Sequence, residues 1–116
     1  MVKKDYIPER GDIVWMDFPL PKGHEQGGRR PAVVISMTEY NERSGLMLAC
    51  PITSKEKGYP FEVEVKARKI NGVVLADQVR SADWRVRGAE FVATIGPKIL
   101  KEIENKILAL FGRDGP

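Results

Sequence analysis

The segment GDIVWMDF, residues 11–18, determines how the rest of the chain is interpreted. Five of its eight residues are apolar and prone to β structure, a Gly-Asp pair precedes them, and Pro19 follows. A compact run of β-branched, aromatic and aliphatic residues between glycine and proline is typical of a strand. The sequence therefore predicts that the first regular element is a buried strand.

Similar short runs continue along the chain. Further strands are predicted at residues 32–36, 46–52, 61–65, 73–79 and 91–95. The fourth of the six strands alternates apolar and charged residues, as a half-exposed strand does. Asn71-Gly72 is the strongest hairpin signal in the chain and leads into the fifth strand.

Two segments have helical patterns. Residues 38–44 are predicted to form one helical turn that Gly45 ends. After Pro97, apolar residues recur at spacings of three and four as far as Phe111, which predicts a C-terminal helix that ends at Gly112. Together these elements predict a mainly β fold: a small, strongly bent sheet or barrel with one terminal helix.

Composition limits the classes of function. The chain has 116 residues, 42% of them hydrophobic, and a net charge of +3, which suits one domain with its own core. We expect a single domain over residues 1–116, with a flexible arm at 1–10 and a flexible tail at 113–116. One cysteine (Cys50) and one histidine (His24) exclude a disulfide scaffold and a structural zinc site.

The expected cellular location is inferred from the lack of membrane-span and signal-peptide patterns in the sequence. No stretch approaches the roughly 18 apolar residues of a membrane span, and the first residues have no signal-peptide pattern. We expect a cytoplasmic protein that needs no cofactor or metal, with Cys50 an inert core residue.

Two predicted loops concentrate positive charge, residues 22–30 and residues 80–87. Arginine forks match phosphate oxygens, and the ring of Trp84 among arginines offers a stacking surface for an unpaired base. If both segments open on one face, they form a groove for single-stranded nucleic acid. The pattern equally allows a solvated loop and a tryptophan that belongs to the core.

Several individual residues also have both a functional and a purely structural interpretation. His24 is either a general base or a solvated histidine, and Glu25 is either an acid–base group or a charge partner of the arginines. Glu62, Glu64 and Lys66 resemble the acidic set of a metal-dependent nuclease, but an alternating strand produces such a face anyway.

Four motifs in register resemble the MazF/PemK (Kid) family of toxins, and the bacterial MazF branch in particular. They are GDIVWMDF (11–18), KGHEQGGRRPAVVIS (22–36), KGYPFEV (57–63) and GVVLADQVRS (72–81). The similarity continues through WRVRG (84–88) into the terminal helix. It implies a CcdB/MazF-like fold, which is an SH3-like small β-barrel with a C-terminal helix, and a homodimer.

The resemblance also implies an activity and a partner. The family consists of sequence-specific, metal-independent endoribonucleases that cut single-stranded RNA, with mRNA as the expected target. They are neutralised by a cognate acidic, MazE-like antitoxin whose disordered tail blocks the RNA groove. The residues associated with cleavage fall on Glu25, Arg30 and Thr53. The Kid branch also uses an arginine two residues before an aspartate; here the aspartate is Asp77 but the arginine position holds Leu75.

The RNA-binding surface is predicted from the same two basic segments. Its candidate residues are Lys22, His24, Gln26, Arg29, Asp77, Gln78, Arg80, Trp84, Arg85 and Arg87. Two other classes of function stay open: a non-catalytic topoisomerase poison like CcdB, and a barrel that binds RNA or a partner without cleaving RNA.

Overall fold

A computed structural model describes residues 6–19 and 28–112. The strands are β1 (Asp12–Phe18), β2 (Gly28–Val34), β3 (Leu46–Thr53), β4 (Glu62–Ala67), β5 (Ile70–Leu75), β6 (Arg80–Asp83) and β7 (Glu90–Thr94). The helices are α1 (Thr38–Ser44) and α2 (Pro97–Leu110).

All strand pairs are antiparallel, in the order β4-β5-β3-β2-β1-β7, with β6 paired to β3. The sheet is strongly curled and buries side chains on both faces, as the continuous apolar runs of β1 and β3 predict. The first core cluster includes Ile13, Val33, Cys50 and Val74. The second includes Val14, Met16, Met47 and Trp84. The predicted mainly β fold with a C-terminal helix is confirmed.

Helix α2 closes the first core cluster. Pro97 occupies its first turn, where the missing N–H costs nothing, and Ile103 is its fully buried residue. None of the helices within residues 6–19 and 28–112 is long and apolar enough to cross a membrane.

The hairpin between β4 and β5 turns at a different place from the one predicted. Its two connecting residues are Arg68 and Lys69, and Arg68 has a positive φ of 52°. The predicted Asn71-Gly72 turn is wrong, because both residues lie inside β5. Gly72 is needed there because a Cβ on it would come 2.2 Å from the carbonyl oxygen of Thr53.

The prediction of a flexible arm over residues 1–10 is wrong for residues 6–10. The side chain of Pro8 is fully buried, and the Tyr6 hydroxyl donates a hydrogen bond to the carboxylate of Asp12 in β1. Residues 6–10 are held in place because Tyr6 and Ile7 pack against the second core cluster. The remaining parts of the predicted arm and tail lie outside the described residues.

Candidate functional site

The register of the central strands brings two predicted site residues together. Strand β2 pairs with β3 through Ala32 opposite Pro51. Continuing this register by two residues places Arg30 opposite Thr53. Because alternate side chains of a strand share a face, both residues point to the face that holds the second core cluster.

Two further strands complete this face. Arg80 begins β6 opposite Ala49 of β3, and its guanidinium carbon lies 5.2 Å from the centre of the Phe18 ring at the end of β1. This is the distance of a cation–π contact. We call the surface formed by Phe18, Arg30, Thr53 and Arg80 the cationic face. The prediction that Arg80 starts a loop is wrong, since it is the first residue of strand β6.

Two buried polar atoms at or just before the start of β6 have no hydrogen-bond partner within the described part of the chain. Oε1 of Gln78 and Nε of Arg80 are buried without a hydrogen-bond partner among the described residues. A buried polar atom without a partner is costly in a folded protein and calls for an explanation such as a bound ligand. The Gln78 oxygen is a hydrogen-bond acceptor and the Arg80 nitrogen is a hydrogen-bond donor.

Thr53 is held in place by its neighbours. Its side chain is buried, with 5% exposure, and its hydroxyl oxygen accepts a hydrogen bond of 3.1 Å from the amide of Lys55. Its carbonyl lies against Gly72. The Thr53 hydroxyl therefore has a fixed position on the cationic face.

Trp84 does not form a stacking surface, so this part of the prediction is wrong. It is only 4% exposed and belongs to the second core cluster. Its indole N–H donates a hydrogen bond of 2.9 Å to the carbonyl oxygen of Asn41. The guanidinium carbon of Arg85 lies 5.1 Å from the centre of the Trp84 ring. Trp84 therefore anchors the β6–β7 connection to the core.

That connection runs beside the end of β1. The backbone carbonyl of Arg87 accepts a hydrogen bond of 2.9 Å from the amide of Asp17. Since Arg80 contacts Phe18, both ends of the basic segment 80–87 are attached to the last two residues of β1. The predicted proximity of the two basic segments is thus supported at the ends of β1 and β2.

Arg29 points away from the cationic face. Its guanidinium forms ion pairs with Asp17, at 3.1 Å, and with Glu90. One of its nitrogens also donates a hydrogen bond of 3.0 Å to the carbonyl oxygen of Gly88. The prediction that Arg29 binds RNA stays a prediction, although its positive charge already faces two carboxylates.

Four predicted residues lie outside the described residues: Lys22, His24, Glu25 and Gln26. They belong to the connection between β1 and β2, whose last described pair is Phe18 opposite Gly28. Their roles stay predictions.

Asp77 lies in the turn after β5. Its partial burial raises its pKa, and the charge of Glu62 adds to the rise. The Leu75 side chain, at the position of the Kid-branch arginine, is buried in the core. Burial also raises the pKa of the Cys50 thiol to about 12, as the prediction of an inert core cysteine requires.

The acidic residues of β4 have a structural role at one position. The carboxylate of Glu62 accepts hydrogen bonds from the amides of Gly58, at 2.9 Å, and Lys57. Across residues 6–19 and 28–112, no three His, Cys, Asp or Glu side chains are grouped closely enough to hold a metal ion.

Phe18 was not among the sequence-predicted site residues, and neither were Asp17 and Glu90. Phe18 carries a readable signal, since it ends a strand directly before a basic loop. The ion-pair partners of Arg29 have no comparable signal in the sequence, because Glu90 is 61 residues away in the chain.

The curled antiparallel sheet and its cationic face define a small barrel protein with arginines and a threonine among the residues of that face. A family model described as PemK-like, MazF-like toxin of type II toxin–antitoxin system matches residues 9–111. The chain belongs to this PemK/MazF toxin family.

Individual relatives agree with this assignment. The endoribonuclease toxin MazF of Escherichia coli K12 is 49% identical over 107 residues, which are 92% of this chain and 96% of the relative. A crystal structure of MazF from Deinococcus radiodurans is 52% identical, with a TM-score of 0.88 over 94% of this chain and all of that chain. A MazE–MazF crystal structure from the same organism is also 52% identical, with a TM-score of 0.83 over 93% of this chain and 98% of that one.

Proposed function

We propose that this protein is a toxin that acts as a sequence-specific endoribonuclease on single-stranded RNA, with mRNA as the target, and thereby inhibits translation and growth. The observation that supports the proposal is the β2–β3 register, which when extended by two residues puts Arg30 opposite Thr53, together with the contact of Arg80 with Phe18 at the end of β1. Arginine matches phosphate oxygens as a planar fork, and a fixed hydroxyl adds a further hydrogen bond. Relatives named endoribonuclease toxins support the same activity.

The reaction uses a nucleophile that the substrate supplies. The 2′-hydroxyl of RNA attacks the adjacent phosphorus, the bond from phosphorus to the 5′-oxygen breaks, and a 2′,3′-cyclic phosphate and a 5′-hydroxyl result. Glu25 takes the 2′ proton, with His24 as the alternative base. Arg30 stabilises the charge of the crowded phosphate and assists departure of the 5′-oxygen, and Thr53 hydrogen-bonds the phosphate. Positioning supplies much of the rate because the nucleophile is already attached.

We assign the RNA sequence preference of cleavage to the two buried atoms of Gln78 and Arg80 that have no partner among the described residues. Oε1 of Gln78 is an acceptor and Nε of Arg80 is a donor, and acceptors and donors of this kind read the edges of bases. Single-stranded RNA presents such edges because its bases are not paired.

The partners follow from charge and from the relatives. We propose that the cationic face also attracts the extended acidic tail of a MazE-like antitoxin, which blocks RNA by occupying the same surface. Crystal structures of MazE–MazF pairs from Deinococcus radiodurans support this kind of partner. We further propose a homodimer, a cytoplasmic location and a single domain over residues 1–116.

The test is cleavage of a long, defined single-stranded RNA by purified protein, with the ends of the products mapped. We expect cleavage at a short recurring sequence that persists in EDTA and leaves cyclic phosphate ends. Arg30→Ala should lower cleavage by about 10²–10³-fold, the usual cost of removing one transition-state donor, while RNA still binds measurably. Arg43→Ala, an exposed arginine of α1, removes the same charge and should cleave normally.

Three results contradict the proposal in different ways. RNA that keeps its full length with the native protein indicates a binding protein or a topoisomerase poison. Loss of cleavage in EDTA overturns the metal-independent mechanism. Cleavage of an RNA that carries a 2′-deoxy sugar at the scissile position shows that the 2′-hydroxyl is not the nucleophile.

A further inference from the structure

Arg29 joins three separate segments on the side of the sheet opposite the cationic face. Its Nη1 donates to Asp17 of β1 at 3.1 Å. Its Nη2 donates to the carbonyl oxygen of Gly88 at 3.0 Å and to the carboxylate of Glu90 in β7. The guanidinium therefore connects β2, the end of β1 and the connection that follows β6.

A backbone contact completes this connection. The amide of Asp17 donates to the carbonyl oxygen of Arg87 at 2.9 Å, so Asp17 uses both its backbone and its side chain. Gly88 has a φ of +64°, and a Cβ on it would lie 3.5 Å from Nη1 of Arg29. Glycine thus lets the β6–β7 connection adopt a left-handed turn close to the guanidinium.

The residues on either side of these contacts belong to the cationic face. Consecutive strand residues point to opposite faces, so Arg29 and Arg30 have separate surroundings. Asp17 lies between Met16, which pairs with Arg30 in the hairpin, and Phe18, which lies under Arg80. Whatever holds Arg29 and Asp17 therefore also fixes the backbone from which the cationic face projects.

We propose that Arg29 is a positioning residue that clamps the start of β2 to the 83–90 connection and thereby orients Arg30 and Arg80 for RNA cleavage. The inference rests on the proposed endoribonuclease function. The rival role, a direct RNA contact, is disfavoured by charge: two carboxylates surround one guanidinium, so the local field repels a phosphate. The three side chains are 39%, 58% and 66% exposed, and exposed ion pairs contribute little to overall stability. Variants of the clamp should consequently fold.

Removal of the carboxylates distinguishes the two roles because they predict opposite results. The double variant Asp17→Asn/Glu90→Gln keeps the charge of Arg29 and frees its guanidinium. If Arg29 is a clamp, this variant and Arg29→Ala both lower kcat by about 10–100-fold, the scale of a misplaced catalytic group, while KM and the salt dependence of RNA binding stay at the wild-type values. Glu64→Gln, which removes an exposed carboxylate of β4, is the matched control.

A direct RNA contact gives the reverse pattern. The double variant then binds RNA more tightly and cleaves at least as fast as the wild type, while Arg29→Ala lowers the slope of log K against log salt by about 0.7 for one lost phosphate contact. Either of these results overturns the clamp, and so does wild-type kcat in all variants. Arg29→Lys, whose ammonium cannot serve three acceptors in the same way, should lie between Arg29→Ala and the wild type.

Hydrogen exchange tests the clamp without RNA. In Arg29→Ala the amide of Asp17 should exchange faster, since its bond to Arg87 is released, while the amide of Val33 in the central ladder should keep its protection. Unchanged protection of Asp17 overturns the clamp. A native protein that leaves RNA intact overturns the endoribonuclease proposal instead, and the exchange result still decides the clamp.

Discussion

Gly72→Ala adds one methyl group at the contact between β5 and Thr53, a residue of the candidate site. Gly72 lies in β5, next to the residue that pairs with Thr53. A Cβ built on its backbone lies 2.2 Å from the carbonyl oxygen of Thr53, 2.9 Å from its carbonyl carbon and 3.2 Å from Cα of Ser54. All three neighbours are backbone atoms, so no side-chain rotation relieves the overlap.

The size of the effect follows from these distances. Non-bonded carbon contacts are most favourable near 3.5–4.0 Å, so β3 and β5 must separate by about 1 Å at this point. Overpacking of this kind costs about 1–3 kcal/mol, more than the roughly 0.5–1 kcal/mol that alanine gains over glycine in chain entropy. For a domain of this size the melting temperature should fall by roughly 5–15 °C. A shift of about 1 Å at Thr53 should lower cleavage by about 10²-fold.

Both quantities can be measured on one preparation. Thermal unfolding by circular dichroism gives the stability, and single-turnover cleavage of a defined RNA, well below the melting temperature, gives the rate. Gly96→Ala is the control, because no atom of residues 6–19 or 28–112 lies within 4 Å of its Cβ and its φ is −73°. As a helix N-cap change it should cost less than about 1 kcal/mol. If Gly72→Ala unfolds and cleaves as Gly96→Ala does, the close contact between β5 and Thr53 does not exist.

Two further outcomes follow from buried groups. Asn41→Ala removes the amide that bonds the Ser36 hydroxyl at 2.5 Å and the Pro8 carbonyl at 2.8 Å; the unpaired partners and the cavity should lower the free energy of unfolding by about 3–5 kcal/mol, and unchanged urea denaturation would show that water replaces the amide. For Cys50, burial raises the thiol pKa from 9.0 to about 12, so the folded state favours the protonated thiol. Its contribution to stability is complete below pH 9 and is lost as the pH rises towards 12. In urea titrations the stability difference between native protein and Cys50→Ala should shrink over that range, and thiol labelling of the folded protein at neutral pH would contradict the burial of this residue.

Local patterns are sufficient to predict most of the elements. The apolar runs of β1 and β3 and the periodic α2 have strong hydrophobic signals, because their side chains are buried against neighbours in the same arrangement along the whole element. The Asn-Gly signal failed for a long-range reason. Gly72 is glycine because Thr53, nineteen positions earlier in the sequence, approaches it, and no local rule reports such a contact.

In the candidate site, too, some features could be predicted from the sequence and others depend on long-range contacts. Arg30 and Thr53 entered through the family resemblance, and the strand register then supports their proximity. Trp84 has the composition expected of a base-stacking surface, but whether it is exposed depends on Asn41, 43 residues away. Arg29 has the composition of a phosphate ligand, but its charge is matched by Glu90, 61 residues away. Burial and charge pairing are properties of the folded chain and cannot be read from neighbouring residues.

The register of the β1–β2 hairpin is itself part of the site. A slip of one residue moves every side chain of a strand to the other face, which here would exchange Arg29 and Arg30. In the observed register Asp17 is directly opposite Arg29, and Phe18 is opposite Gly28. The ion pair between Asp17 and Arg29 stabilises this register, whereas the slipped one would pair Asp17 with the arginine that belongs on the cationic face. The two adjacent arginines therefore need unequal surroundings, and a pair of carboxylates on one side of the sheet is the feature that distinguishes them.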